Sequence, residues 1–258
     1  MPADSLPTFN STAIEAALYN IEGLSEHFLL ANDDTFFGKE VSPNFFFNSQ
    51  GLPILRQIKR NWSDELISSN IYCDNVVYAA HLIKERFACN YQFESHHNID
   101  SYQKTVYKKA FDTFPKDRER TLLHKFRHKS DLHRSIVNYY MIAHNLCQLK
   151  ILDNIEKNSD SQVLQITSLL ELRREVSSSL TKLFCLNDNE FTSPFSIARI
   201  YLLLEALFPN KASWEKEERS LNFKEKFLIQ ILKSTQFTLL AHECVTLRNK
   251  IWKKNTLK

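Results

Sequence analysis

His124, His128 and His133 fall within a ten-residue stretch that also holds Asp131. On one helix, residues four apart share a face, so His124 and His128 could hold a zinc or nickel ion through two imidazoles. A third ligand would have to come from elsewhere, with His96 and His97 as candidates. No HExxH pattern and no neighbouring cysteine completes the set. A solvated basic face is therefore the preferred reading, and no metal is assigned. Arg127 and His133 form a second pair with five residues between them. The arginine could steady a phosphate, and a histidine of free pKa about 6.5 suits proton transfer near neutrality.

The Arg127 and His133 spacing resembles the arginine and histidine pairing of small helical ribonucleases of the HEPN type. That resemblance implies a helical module that cleaves RNA, with Arg127 on the scissile phosphate and His133 as acid or base. The surrounding charge fits a polyanion. From Lys104 to Arg134 there are ten Lys or Arg against four acids, whereas the whole chain carries only +3. Lys104, Lys108, Lys109, Arg118, Arg120, Lys125 and Arg127 could neutralise phosphates, with Tyr102 and Tyr107 placed to stack. The same segment also suits a solvated face or an acidic protein partner, and no recognition motif accompanies it.

A third lead is aromatic. The stretch 32–51 has the composition of a loop, with two glycines and a proline, yet it carries Phe36, Phe37, Phe45, Phe46 and Phe47. Such residues either fold back over the core or anchor in a partner's pocket. Glu205 in the apolar run 201–208 reads as one half of a structural ion pair with Arg199.

Stepping outward to the elements, apolar residues at helical spacing predict a long helix over Asp131–Lys157, around which the rest should pack. Further helices are expected over about 11–31, 54–69, 74–91, 101–114, 117–128, 162–186, 194–208 and 222–252. Glycine occurs only at positions 23, 38 and 51. Sheet turns and phosphate-binding loops need glycine at positive φ, so its scarcity argues against both. The expected fold is all-α: a flexible lead (1–10), one irregular domain of about nine helices (11–252) and a basic tail (253–258).

The cysteines at 73, 89, 147, 185 and 244 are odd in number and unpaired in motif, which suits reduced, buried thiols inside a cell. No run is long enough to span a membrane, and the first residues lack a secretory pattern. The functional expectation is a non-enzymatic adaptor or scaffold subunit in the nucleus or cytoplasm. It needs no cofactor, engages protein partners through grooves between helices, and could self-associate. The rival is the nucleic-acid or ribonuclease module centred on the basic segment.

Overall fold

The computed structural model describes residues 1–60, 70–90, 92–165 and 180–187, together with isolated positions from 200 to 213. In chain order these form α1 (Ser11–Ala17), β1 (His27–Leu30), β2 (Thr35–Phe37), β3 (Ile54–Lys59), α2 (Ile71–Phe87), β4 (Phe93–Ser95), β5 (Asp100–Gln103), α3 (Lys104–Asp112), α4 (Pro115–Leu123), α5 (Ser135–Ala143), β6 (Gln148–Leu152), β7 (Ser161–Gln165) and β8 (Leu183–Asn187). The strands pair across long sequence distances. β1 runs antiparallel to β5, with Phe28 opposite Tyr102. β3 is flanked by antiparallel β4 and parallel β6. β2 pairs antiparallel with β8, and β7 lies on the other side of β8.

The fold is therefore α/β, with five α-helices and eight strands among the described residues. The all-α expectation is overturned, and its central helix shows why. Only Ser135–Ala143 of that stretch is helical. Asn145 then enters the left-handed region at φ 55°, which ends the helix. Gln148–Leu152 leaves in extended form and pairs in parallel with β3, from Ile54↔Gln148 to Ile58↔Leu152. Leucine and isoleucine serve a strand as well as a helix, and the partner strand decides.

Glycine scarcity misled for a related reason. Among the described residues, positive φ falls on Ala88, His97 and Asn145 as well as Gly23 and Gly51. The turns exist, and non-glycine residues bear part of their strain. The expected helix over 11–31 stops at Ala17 and gives way to β1. The helix expected over 222–252, the Glu205–Arg199 pair and the basic tail lie outside the described residues, as do most of those expected over 162–186 and 194–208.

The chain divides into two units, Met1–Gln162 with Thr181–Cys185, and Val163–Leu180 with Leu186–Lys258. In the first, α2, α3 and α5 close over one apolar core that includes Ile83, Val106, Phe111, Ile136 and Met141. Phe28, Tyr102, Tyr107 and Phe111 run through it as a chain of tilted and edge-on aromatic contacts. Asn70 starts α2 by accepting the Tyr72 and Cys73 backbone N–H groups. In the second unit, Leu164, Leu180, Leu186 and Ile200 are buried. Among the described residues no helix is long and apolar enough to cross a membrane.

Candidate active site

A cleft of about 360 Å³ opens in the first unit. Ser11, Thr12 and Glu15 reach it from α1, and Asn32 and Asp33 from the turn after β1. Tyr72 and Asn75 come from α2, Ser95 and His97 from β4 and the turn behind it, and Arg127, His133 and Arg134 from the segment between α4 and α5. Five segments distant in sequence thus converge on one concavity, the usual form of a binding site.

Arg134 is the electrostatic centre. Its Nη1 donates to Glu15 Oε1 at 3.2 Å and Asn32 Oδ1 at 3.4 Å, and its Nη2 lies 3.9 Å from Asp100 Oδ2. Burial works against its charge, but Glu15 and Asp100 outweigh that cost, and the guanidinium stays protonated. Its Nε is buried without a hydrogen-bond partner among the described residues, as are Glu15 Oε2 and Asp34 Oδ1. Buried polar atoms are ordinarily paired, so these three point to a ligand. Burial pushes the Glu15 carboxyl up against the pull of Arg134 and Arg127. Asp100 goes the other way: burial opposes its charge, yet His96 at 3.4 Å, Arg134 and the Ser95 hydroxyl hold it below the ordinary carboxylate range.

His133 beside Arg134 is buried, and burial, reinforced by Arg134 and Arg127, lowers its pKa to about 3. Its ring is therefore neutral at physiological pH. The Ser135 backbone N–H donates to its Nδ1 at 3.2 Å, so Nε2 carries the proton and serves as a donor. His97 is half-buried, sits at φ 48° and places Nε2 3.7 Å from Asp34 Oδ2. Cys185 is held as a thiol by burial and by the hydrogen bond that it donates to Asp34 at 3.2 Å. One donor atom from each of Asp34, His97 and Cys185 lies within 4.8 Å of the others. Carboxylate, imidazole and a Cys185 deprotonated on binding would suit a zinc-like ion, whereas carboxylates such as those of the consecutive residues Asp33 and Asp34 suit magnesium or manganese.

Arg127 and His133 both line the cleft, and Arg127 donates through Nε and Nη2 to Ser11 Oγ at 3.0 and 2.7 Å. The other basic residues are scattered. Lys108 pairs with Asp112, Arg118 lies 3.6 Å from Asp112, and Arg120 bonds Asp117, Tyr78 and the Ser130 carbonyl. Lys104 Nζ reaches the Leu24 carbonyl, and Lys109 and Lys125 are exposed. His124 and His128 lie beyond the end of α4, with ring centroids 4.9 Å apart, and His124 is engaged by Asp131 at 2.6 Å. Phe46 is buried, Phe45 and Phe47 pack beside it, Phe36 stacks on Phe184, and Phe37 is exposed.

Sequence reading missed Glu15, Asn32, Asp33, Asp34 and Arg134. The signal available was Asn32-Asp33-Asp34 at the end of an apolar run, HFLLANDD, which the helix assignment over 11–31 concealed.

The family described as Stealth protein CR2, conserved region 2, matches residues 1–55. That stretch contributes Ser11, Thr12, Glu15, Asn32 and Asp33 to the cleft. An exopolysaccharide phosphotransferase of Nocardia farcinica is 28% identical over 226 residues, covering 82% of this chain and 42% of that protein. Its counterpart in Lactiplantibacillus plantarum is 25% identical over 247 residues, 84% of this chain and 71% of the relative. A capsular polysaccharide phosphotransferase of Neisseria meningitidis serogroup B is 35% identical over 135 residues, 50% of this chain and 36% of the relative. This chain is similar to polysaccharide phosphotransferases. It spans well under half the length of the Nocardia and Neisseria relatives. Likeness to proteins named as enzymes, over most of this chain, overturns the reading of a non-enzymatic adaptor or scaffold. Helical periodicity had suggested grooves between helices, and the sheets leave that argument without a basis.

Proposed function

We propose that the chain houses the reaction cleft of a transferase that moves a sugar-phosphate group from an activated phosphoanhydride donor onto a hydroxyl of a polysaccharide. The observation that carries the reading is the buried Arg134, with an unpaired Nε, in a cleft that His97 also lines and to which the matched region contributes Ser11, Thr12, Glu15, Asn32 and Asp33. Phosphoryl transfer needs positioning and charge stabilisation more than covalent help from the protein. Arg134 and Arg127 supply fixed positive charge for the transferred phosphate. Neutral His133 adds a hydrogen-bond donor without adding charge. The acceptor hydroxyl oxygen attacks phosphorus, its proton passes to His97 Nδ1, the ring nitrogen other than the one facing Asp34, and the bond to the leaving phosphate breaks with its electron pair staying on that phosphate. Asp34 orients the His97 ring and stabilises the imidazolium that forms. A divalent ion held by Asp33 and Asp34 would neutralise the leaving phosphate. Such donors are made in the cytosol, which supports the cytoplasm over the nucleus as the place of action.

The test supplies the purified protein with a panel of nucleoside diphosphate sugars and oligosaccharide acceptors, following new phosphodiesters by phosphorus NMR. Turnover is expected to fall by about 10²–10⁴-fold in His97→Ala, with Asp34→Asn falling in the same direction. Absence of phosphodiester product across the panel, with a folded protein, would remove the reading.

A further inference from the structure

Phe9 and Phe126 are 71% and 68% exposed, and their rings stack on each other with centroids 5.5 Å apart and planes 14° from parallel. Two open phenyl faces are not a packing accident of a loose loop, because both segments that bear them are pinned. The Phe9 backbone N–H donates to the Lys125 carbonyl at 2.8 Å. Asn10 Nδ2 reaches the carbonyls of His124 and Phe126 at 3.3 Å each and Asp131 Oδ2 at 2.8 Å. Asp131, fully buried, also takes the His128 N–H at 2.8 Å and the His124 ring at 2.6 Å. Folding thus holds the aromatic pair rigidly in water, where its apolar area stabilises nothing by burial.

Its position is informative. Each ring is one or two residues from a cleft residue: Phe9 precedes Ser11, Phe126 precedes Arg127, and those two are hydrogen-bonded to each other across the rim. Around the rings the chain reads His124-Lys125-Phe126-Arg127-His128-Lys129, a run without an acid, and Lys125 to Lys129 are all exposed. An apolar face bordered by cations fits a chain that alternates C–H faces with negative charge. The product of the proposed reaction has that character. Each transferred sugar phosphate becomes a phosphodiester and leaves one negative charge per repeat.

We infer that the Phe9–Phe126 pair, bordered by Lys125, Arg127 and Lys129, is the platform on which the growing phosphodiester-linked glycan lies as its end enters the cleft. Sugar rings pack on the phenyl faces, and the lysines and Arg127 meet the linking phosphates. The inference rests on the transferase reading and adds to it a site outside the reacting atoms. Exposed aromatic rings bordered by cations also stack bases, so single-stranded RNA is the comparison that matters.

The experiment titrates the full chain with synthetic phosphodiester-linked hexose oligomers of increasing length, and with polyuridylate. Affinity and acceptor KM are expected to improve with length up to the span of the platform. Combined Phe9→Ala and Phe126→Ala should cost the longer oligomers about tenfold in KM, equal to ~1.4 kcal/mol, while the donor KM stays put. Phe126→Trp should restore the gain, and Lys125→Gln with Lys129→Gln should flatten its salt dependence. Donor turnover without any length dependence, or equal losses on the shortest acceptor and the longest, overturns the platform and leaves the transferase reading standing. Tighter binding of polyuridylate, lost in the same variants, overturns it in favour of a nucleic-acid surface. If the wild-type chain shows no turnover at all, the reading beneath it fails, and the platform falls with it.

Discussion

His133 shows how one buried side chain ties the cleft's chemistry to the stability of the fold. Its pKa drops from the model-peptide value of 6.5 to about 3. The unfolded chain therefore takes up a proton below pH about 6.5 that the folded chain refuses. Stability contributed by the neutral ring is fully present above that pH and is lost progressively as the pH falls toward 3. The loss is on the order of 1–2 kcal/mol by pH 5. His133→Gln, which keeps a neutral polar side chain, should flatten the fall in melting temperature between pH 7 and pH 5. An unchanged slope in that variant would show that His133 is not the group being titrated. Asp131 makes the complementary case. Its carboxylate accepts from Asn10, His124 and the His128 backbone while fully buried. Asp131→Ala strands those donors, and a cost of about 2–4 kcal/mol in urea denaturation is expected.

At the scale of elements, helix α2 is bounded by two residues whose roles differ in legibility. Asn70 accepts from the N–H groups of Tyr72 and Cys73, and Asn70→Ala should lower stability by about 1 kcal/mol. Ala88 closes the same helix at φ 55°, a conformation that costs an L side chain about 1 kcal/mol and glycine little. Ala88→Gly should therefore stabilise the protein, read as a rise in the urea midpoint at unchanged slope. The sequence shows an asparagine cap, because that signal is local. It does not show that an alanine terminates the helix, because nothing about Ala88 announces positive φ. The helices α2, α3, α4 and α5 were legible in part for the same local reason. The strands were not: β6, Gln148–Leu152, carries leucine and isoleucine that would serve a helix equally well, and its identity comes from β3, roughly a hundred residues earlier in the chain. Arg127 and His133 were legible as reactive types, but Arg134 and Glu15 were not, since their pairing across 119 residues is a product of the fold.

For the whole molecule, the consequence is that among the described residues no short piece of the chain holds its own sheet. Among the described residues β2 finds its partner only in β8, with Thr35 opposite Cys185 and Phe37 opposite Leu183. Leu183, Phe184 and Cys185 have no exposed surface at all, and Thr181–Cys185 belongs to the first unit despite the intervening sequence. A fragment ending at Gln162 keeps most cleft residues but loses this strand. Phe36 then loses its stack on Phe184, at 5.2 Å between centroids, and Asp34 loses the Cys185 thiol that donates to it. β2 becomes an open edge carrying two phenylalanines, an arrangement that invites pairing with other chains. The expected outcome is a fragment that melts lower and less cooperatively than the full chain, binds a hydrophobic dye and aggregates at lower concentration. Extending it through Asn187 should reverse part of each change, since β8 is then restored whole. A 1–162 fragment as cooperative as the full chain would mean that β8 covers the sheet without supporting it. The cleft would then be a property of the first 162 residues alone, instead of a structure completed from further along the chain.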